Sequence, residues 1–364
     1  MITAIDIGDQ LLVEHSSKRD LIISVIFGQL LSFMVALTAL FTKVLNDNYD
    51  ISSPALQDTI GYSVVFLIAL YPCGILNFNF RKDFDHKMVL GLFLIAIADS
   101  QAAFFDNLAY NFSVSIASVG MLSSFTIPCV MCISYCFLKL RYLKNHYLGT
   151  GIALIGLIFV IFSDVLSSSD AEMLPIDDSL NGSSTDATTV SSTIIGDFLI
   201  IVGSGFYAVS NVATEAFVKS RDIWLYLTWL GFFGALISLI QFLSTELSFW
   251  SDYQTQTDKA DPGIVAMLLI LFGFTFSLIY LGAAKFLAKY DAVVFNLSLL
   301  STDVWGLVFG YFIFEEEVSA LKLIGFVSIV IGVYIYNTRP PVKSLEQHVP
   351  IQAQEEGWAL QELS

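Results

Sequence analysis

Apolar residues in this chain gather in runs of about 20, the length a helix needs to cross a lipid bilayer, and polar residues gather between them. Ten runs are predicted as transmembrane helices: 21–44, 55–76, 88–110, 114–138, 146–166, 194–218, 223–244, 263–285, 291–314 and 319–337. They fill most of the chain and leave no stretch for a separate soluble domain. The expected fold class is an all-α membrane protein of ten transmembrane helices. Residues 1–20 are polar and acidic, and the first apolar run is full-length, so a tail is expected there and not a cleaved leader.

The pattern repeats with its charge reversed. Residues 113–162 hold two apolar runs joined by Lys139, Arg141 and Lys144; residues 288–336 hold two joined by Glu315, Glu316 and Glu317. A shift of 176 positions lays Gly149 on Gly325 and Gly156 on Gly332, and the basic linker on the acidic one. Basic linkers stay cytoplasmic, so equivalent linkers of opposite charge predict halves inserted in opposite directions. Two inverted five-helix repeats, 21–166 and 194–337, are therefore expected, an arrangement that places a substrate site between them near the midplane. An acidic lumenal or extracellular loop, 167–193, joins them, and an acidic cytoplasmic tail, 338–364, follows.

Composition agrees with this class: 55% of residues are hydrophobic and 14% charged, and mean hydropathy is +0.72. The acidic loop and the tail's Glu346, Glu355, Glu356 and Glu362 contribute to the net charge of −16 and read as solvated segments. Without a basic patch, nucleic acid is not an expected partner. Fourteen of the 17 Lys and Arg fall on one side when the N-terminus is inside, so both termini are predicted to be cytoplasmic. Asn181, in the sequon Asn181-Gly182-Ser183, then faces the lumen or the outside as a glycosylation acceptor. Cys129, Cys132 and Cys136 share a helix face without His or carboxylate beside them. They read as packing residues, and no metal or cofactor is expected.

Ionisable side chains within a span face a partner or a cavity. Asp99 and Asp106 lie seven apart in the third run, Glu215 ends the sixth, and Asp303 lies in the ninth. Tyr207, Asn211 and Glu215 form a stripe at four-residue spacing, and Asn296 stands seven before Asp303. Ser124 precedes Pro128 by one turn, where the missing N–H frees a carbonyl. Asp99, Ser124, Tyr207, Asn211, Asn296 and Asp303 are the candidate substrate-binding residues, and Asp99 and Glu215 the candidates for proton coupling. Set against this, Ser, Asn and Tyr in membrane helices commonly serve as interhelical glue. No Lys or Arg sits at comparable depth, so the cavity favours a neutral or cationic solute over a pyrophosphate-bearing one.

Several stretches together resemble the drug/metabolite transporter superfamily, and within it solute carrier family 35, subfamily F. They are Ala98-Asp99, Ser124-Phe125-Thr126-Ile127-Pro128 with Leu140-Arg141-Tyr142, Gly196-Asp197 with Tyr207 and Ser210-Asn211-Val212, and Asn296 to Asp303 with Gly310. The resemblance implies ten helices in two inverted repeats, alternating access, and a substrate surrounded by spans one, three, four, six, eight and nine. Nucleotide-sugar members carry Gly-Ala-Leu-Asn followed by Lys in span nine; here Phe295-Asn296-Leu297-Ser298 stands without a Lys. Part of subfamily F is linked to modified nucleobases of the queuine type, whose amine suits an acidic cavity. Three readings are weighed: a transporter of such a solute, a nucleotide-sugar exchanger of the Golgi, and a receptor or scaffold without transport. No enzyme is expected, since the four histidines lie in tails or loops and no catalytic signature occurs. The tail lacks a dilysine retrieval signal, which favours the plasma membrane or Golgi. Oligomeric state has no signal in the sequence.

Overall fold

The computed structural model describes residues 4–75, 86–112, 114–138, 142–171, 186–248, 250, 261–290 and 292–337, and the regular structure among them is helical. In chain order, the helices are α1 (Ala4–Tyr49), α2 (Pro54–Ile75), α3 (His86–Ala109), α4 (Ile116–Ser123), α5 (Thr126–Leu138) and α6 (Lys144–Ala171). They continue with α7 (Asp186–Val218), α8 (Ile223–Gln241), α9 (Pro262–Lys289), α10 (Ala292–Leu299), α11 (Ser301–Ile313) and α12 (Ala320–Asn337). Among the described residues, eight helical stretches are long and apolar enough to cross a membrane. The ninth and tenth predicted runs are helical too; the ninth is split at Leu300, and the tenth is α12, starting one residue later than expected.

Helix starts follow local chemistry. Asp222 caps α8 by accepting hydrogen bonds from the Trp224 and Leu225 amides, and Asp261 caps α9 ahead of Pro262 at its first position. Two boundaries differ from expectation. α1 begins at Ala4, because residues 4–20 are rich in helix formers and extend the helix beyond its apolar part. α6 and α7 likewise continue into the segment expected as a loop, leaving 172–185 between them. Asn181, in that interval, and the 338–364 tail lie outside the described residues.

The span of α4 and α5 breaks at Ser124. Pro128 then falls in the first turn of α5, where its missing N–H has no helical role to lose. The Ile127 amide closes the break on the Ser124 carbonyl at 3.0 Å. The α10–α11 break at Leu300 has the same closure, Asp303 N–H to the Leu300 carbonyl at 3.1 Å. Position 300 is 124 shifted by 176, and 303 is 127 shifted likewise. Val304 stands where the first break has Pro128. Here the Ser298 hydroxyl bonds to the Phe295 carbonyl at 2.7 Å, local side-chain bonding that competes with a continuous helix, and Thr302 donates across to the Ser32 carbonyl of α1 at 3.3 Å.

α6 packs along α12, α2 along α8, α3 along α7 and α1 along α9, while α4 packs on α11. The α6–α12 contact is the closest, with Gly149 against Gly332 and Gly156 against Gly325. Absent side chains let the two backbones meet. A buried cluster containing Leu31, Tyr62, Phe272, Phe276 and Phe286 fills the interior. Large apolar side chains such as Tyr71, Phe137, Ile158, Ile270 and Phe312 are exposed on the outside, the surface a lipid solvent requires.

Candidate solute cavity

A cavity of about 220 Å³ lies between the helices, with walls from α1, α3, α4, α5, α7, α9, α10 and α11. All six residues singled out as substrate candidates, Asp99, Ser124, Tyr207, Asn211, Asn296 and Asp303, line it. They come from five separate elements. Asp106, one of the four ionisable positions in the sequence, lines it as well.

Asp99 is the centre of the densest polar network. Its Oδ2 accepts hydrogen bonds from the hydroxyls of Tyr62 (2.7 Å) and Tyr280 (2.6 Å), and its Oδ1 from Ser210 Oγ at 2.6 Å. The two tyrosine hydroxyls are 3.1 Å apart. A carboxylate has about four acceptor positions, so three donors stabilise the charge and leave room for one more. Asp99 belongs to α3, Tyr62 to α2, Ser210 to α7 and Tyr280 to α9, so one side chain ties four helices together.

On the opposite wall, Ser124 Oγ, at the first helix break, donates to Asp303 Oδ2 at 3.2 Å. Asn211 Nδ2 donates to Asn296 Oδ1 at 3.2 Å, and Asn296 Nδ2 donates to the Ala292 carbonyl at 2.7 Å. These bonds hold α7 to α10 and fix the orientation of both amides. Phe276, stacked on Tyr280 with ring centroids 4.5 Å apart, supplies an apolar wall. Tyr207 completes the lining from α7.

Glu215 lies elsewhere. It is buried at the end of α7 and does not line the cavity. Its Oε2 accepts the Ala292 amide at 2.8 Å, and its Oε1 pairs with Lys219 Nζ at 2.7 Å. That geometry makes it an anchor for the start of α10. Gln29 and Ser32, on α1, bond to Ser301 (2.6 Å) and Thr302 (3.0 Å) and hold α1 to α11.

Sequence reasoning missed Tyr62, Ser210 and Tyr280 as partners of Asp99, and it missed Asp58. The available signal was Asp58 and Tyr62 four apart in the second run, a polar pair on one face. Among the described residues no group of three or more His, Cys, Asp or Glu is arranged to hold a metal ion.

An acidic, aromatic cavity enclosed by apolar helices is transporter-like, and comparison with known proteins decides the family. The sequence model of solute carrier family 35, subfamily F, matches residues 17–338. This chain belongs to solute carrier family 35. Solute carrier family 35 member F2 of Mus musculus is 28% identical over 339 residues, covering 91% of this chain and 83% of the mouse protein. The protein of the same name in Xenopus tropicalis is 26% identical, covering 88% of this chain and 77% of its own length. An uncharacterised family 35 member of Schizosaccharomyces pombe is 27% identical, covering 85% of this chain and 56% of its own. One solved crystal structure aligns with a TM-score of 0.54 at 13% identity, covering 85% of this chain and 96% of the other. That likeness concerns the fold alone. As a family 35 solute carrier, the protein is a multi-pass membrane transporter, and the family points away from an enzyme.

Proposed function

We propose that this solute carrier is a secondary transporter that moves a compact neutral or cationic organic solute by alternating access, with the cavity between two inverted five-helix repeats. One observation carries the substrate class: the cavity wall presents Asp99, Asp106 and Asp303 and, among its described residues, no Lys, Arg or His. A pyrophosphate would meet only like charge there. A solute amine meets carboxylates in a low-dielectric enclosure, where such contacts are strong. The volume is also below the ~300–1,000 Å³ of pockets that take drug-sized ligands, which favours a modified nucleobase of the queuine type over a nucleotide sugar. Asp99, Asp303 and the amides of Asn211 and Asn296 are its proposed contacts, with Ser124 and Tyr207 beside them.

Three features support the repeat. The two helix breaks and their closing hydrogen bonds are related by the 176-residue shift. The same shift carries the Gly149–Gly332 contact onto Gly325–Gly156, so that contact is its own image. Helix pairing follows suit: the α3–α7 pair has its counterpart in α9–α1. Both termini are assigned to the cytoplasm from the Lys and Arg distribution, and the plasma membrane or Golgi is the proposed location.

A thermal-shift screen of the detergent-purified protein with queuine, small organic cations and nucleotide sugars tests the substrate class. A ligand at a hundredfold its dissociation constant stabilises by about 2.7 kcal/mol. Stabilisation by queuine or cations, carried into uptake by proteoliposomes, is expected. Stabilisation by a nucleotide sugar alone would replace this reading with Golgi exchange, and binding without flux would favour a receptor.

A further inference from the structure

A buried carboxyl group, Asp58, lies beside the cavity, and the solute contacts above do not use it. Asp58, on α2, has no exposed surface. Its Oδ1 accepts a hydrogen bond from Asn107 Nδ2 at 2.9 Å, and its Oδ2 has no partner. Behind Asn107, Thr42 Oγ1 lies 3.3 Å from its Oδ1 and 2.6 Å from Gln57 Oε1, and its single proton goes to the nearer Gln57. Asn107 and its neighbour Asp106 both line the cavity. Asp106 Oδ1 and the hydroxyl of Tyr110, a residue 4% exposed that lines the same cavity, are likewise buried without partners.

Among the described residues, no Lys, Arg or His is a neighbour of Asp58 in this group. Within electrostatic reach are Asp99 and Asp106 from α3, Glu246 from the end of the α8 span, Tyr62 on α2 itself and Tyr207 from α7. Every one is acidic or neutral. Glu246 is already committed, accepting the Ala55 and Leu56 amides at 2.7 and 3.1 Å and the Ser53 hydroxyl. An isolated carboxylate in so dry a place is costly and takes up a proton or a counter-ion. A metal cation would need a shell of oxygens. Asn107 instead turns its NH2 toward Asp58, presenting a donor where a cation would need an oxygen. The polar atoms are thus set around a carboxyl group, not around an ion.

We propose that Asp58 is the coupling-proton site of this transporter, linked to the solute through Asn107 and Asp106. The proposal rests on the reading of the chain as a secondary transporter. Its sign follows from Coulomb's law. A cationic solute arriving at Asp106 adds positive charge near Asp58 and favours release of the Asp58 proton. Departure of the solute favours its return. The bound species exchange, one proton against one solute charge, and no covalent bond other than O–H forms or breaks.

The experiment uses the full-length purified protein and two readouts. Infrared absorption at neutral pH detects the C=O stretch of a protonated carboxyl separately from carboxylate bands. That band should weaken in Asp58→Asn by the intensity of one carboxyl group, and an unchanged band would overturn the proposal. If Asp58→Asn does not fold, Asn107→Leu takes its place: loss of the hydrogen bond to Oδ1 should move the same band to higher frequency, and an unmoved band counts against Asp58. In proteoliposomes carrying a pH-sensitive dye, queuine should drive proton release through the wild type and not through Asp58→Asn. Should queuine leave the wild type unshifted in melting temperature, the substrate reading fails while the infrared result still decides Asp58. Stabilisation by sodium over choline chloride that disappears in Asp58→Asn would assign the site to a metal cation and also overturn the proton.

Discussion

Gly149 on α6 lies directly against the backbone of Gly332 on α12, so a Cβ at position 149 would collide with the Gly332 carbonyl and with Tyr336. Gly156 and Gly325 repeat the arrangement seven residues on, where a Cβ at 156 would come within 2.6 Å of the Gly325 carbonyl. In a bilayer no hydrophobic force drives two apolar helices together, so close backbone approach and the dispersion it brings hold this pair. Gly149→Val should therefore destabilise by about 1–3 kcal/mol, the usual range for overpacking. Gly151→Ala, on the same helix with open space around it, is the control and should be neutral. Thermal unfolding in detergent compares the two, and equal melting temperatures would mean that the α6–α12 contact yields without cost.

Asp99 combines a structural and a binding role, and the two can be separated. Asp99→Asn retains shape, but its NH2 cannot accept, so either Ser210 or the Tyr62 and Tyr280 pair loses its acceptor. An unsatisfied buried group costs about 1–3 kcal/mol, and loss of the charge should abolish uptake. Tyr280→Phe removes one donor and leaves the charge, so it should lose about 0.5–1.5 kcal/mol of stability and retain uptake. Normal uptake by Asp99→Asn would remove the carboxylate from solute binding.

Much of this arrangement was legible in the chain, and the reasons divide cleanly. Run length shows where helices lie because the bilayer demands about 20 apolar residues. Pro128 announces the break at Ser124, since a proline ring is excluded from a helix interior. The break at Leu300 has no such mark and emerges only from the Ser298 hydroxyl bonding a backbone carbonyl. Asp99 and Asp303 stand out as charges in apolar runs, but the three hydroxyls on Asp99 come from distant segments and depend on tertiary packing. Asp58 escaped notice because it lies one turn inside its run, where a carboxylate reads as interfacial; the fold instead buries it beneath Asn107. Glu215 shows the converse. Spacing put it on a polar stripe with Tyr207 and Asn211, but the helix end carries it past the cavity to the start of α10.

That position yields its own prediction. The sequence alone makes Glu215 a coupling residue, for which Glu215→Gln should flatten the dependence of uptake on a pH gradient. The observed bonds to the Ala292 amide and Lys219 give a different expectation. Glu215→Gln retains one acceptor for Ala292 and should cost under about 1.5 kcal/mol, whereas Glu215→Ala leaves the buried Ala292 amide without its acceptor and should cost about 1–3 kcal/mol. The pH profile of uptake should be unchanged in Glu215→Gln. A flattened profile at normal stability would return Glu215 to the coupling mechanism.

Lys43 offers a test of how the end of α1 is held to the start of α4. Its Nζ lies 3.1 Å from Asp47, 3.4 Å from Glu316 and 3.5 Å from the Val114 carbonyl, and Glu316 also accepts the Ile116 amide at 3.2 Å. The pair thus joins the end of α1 to the start of α4 and to the segment before α12, with side chains 10% and 17% exposed. Removing one member of a buried pair costs about 3–5 kcal/mol because the other charge is left stranded, whereas replacing both is often near neutral. Lys43→Met should accordingly be the most damaging change, with partial relief when Glu316→Gln is added. A double-mutant cycle on unfolding free energies measures the coupling. If the double variant is as unstable as the two single losses added together, Lys43 and Glu316 act independently, and Asp47 is the partner that matters.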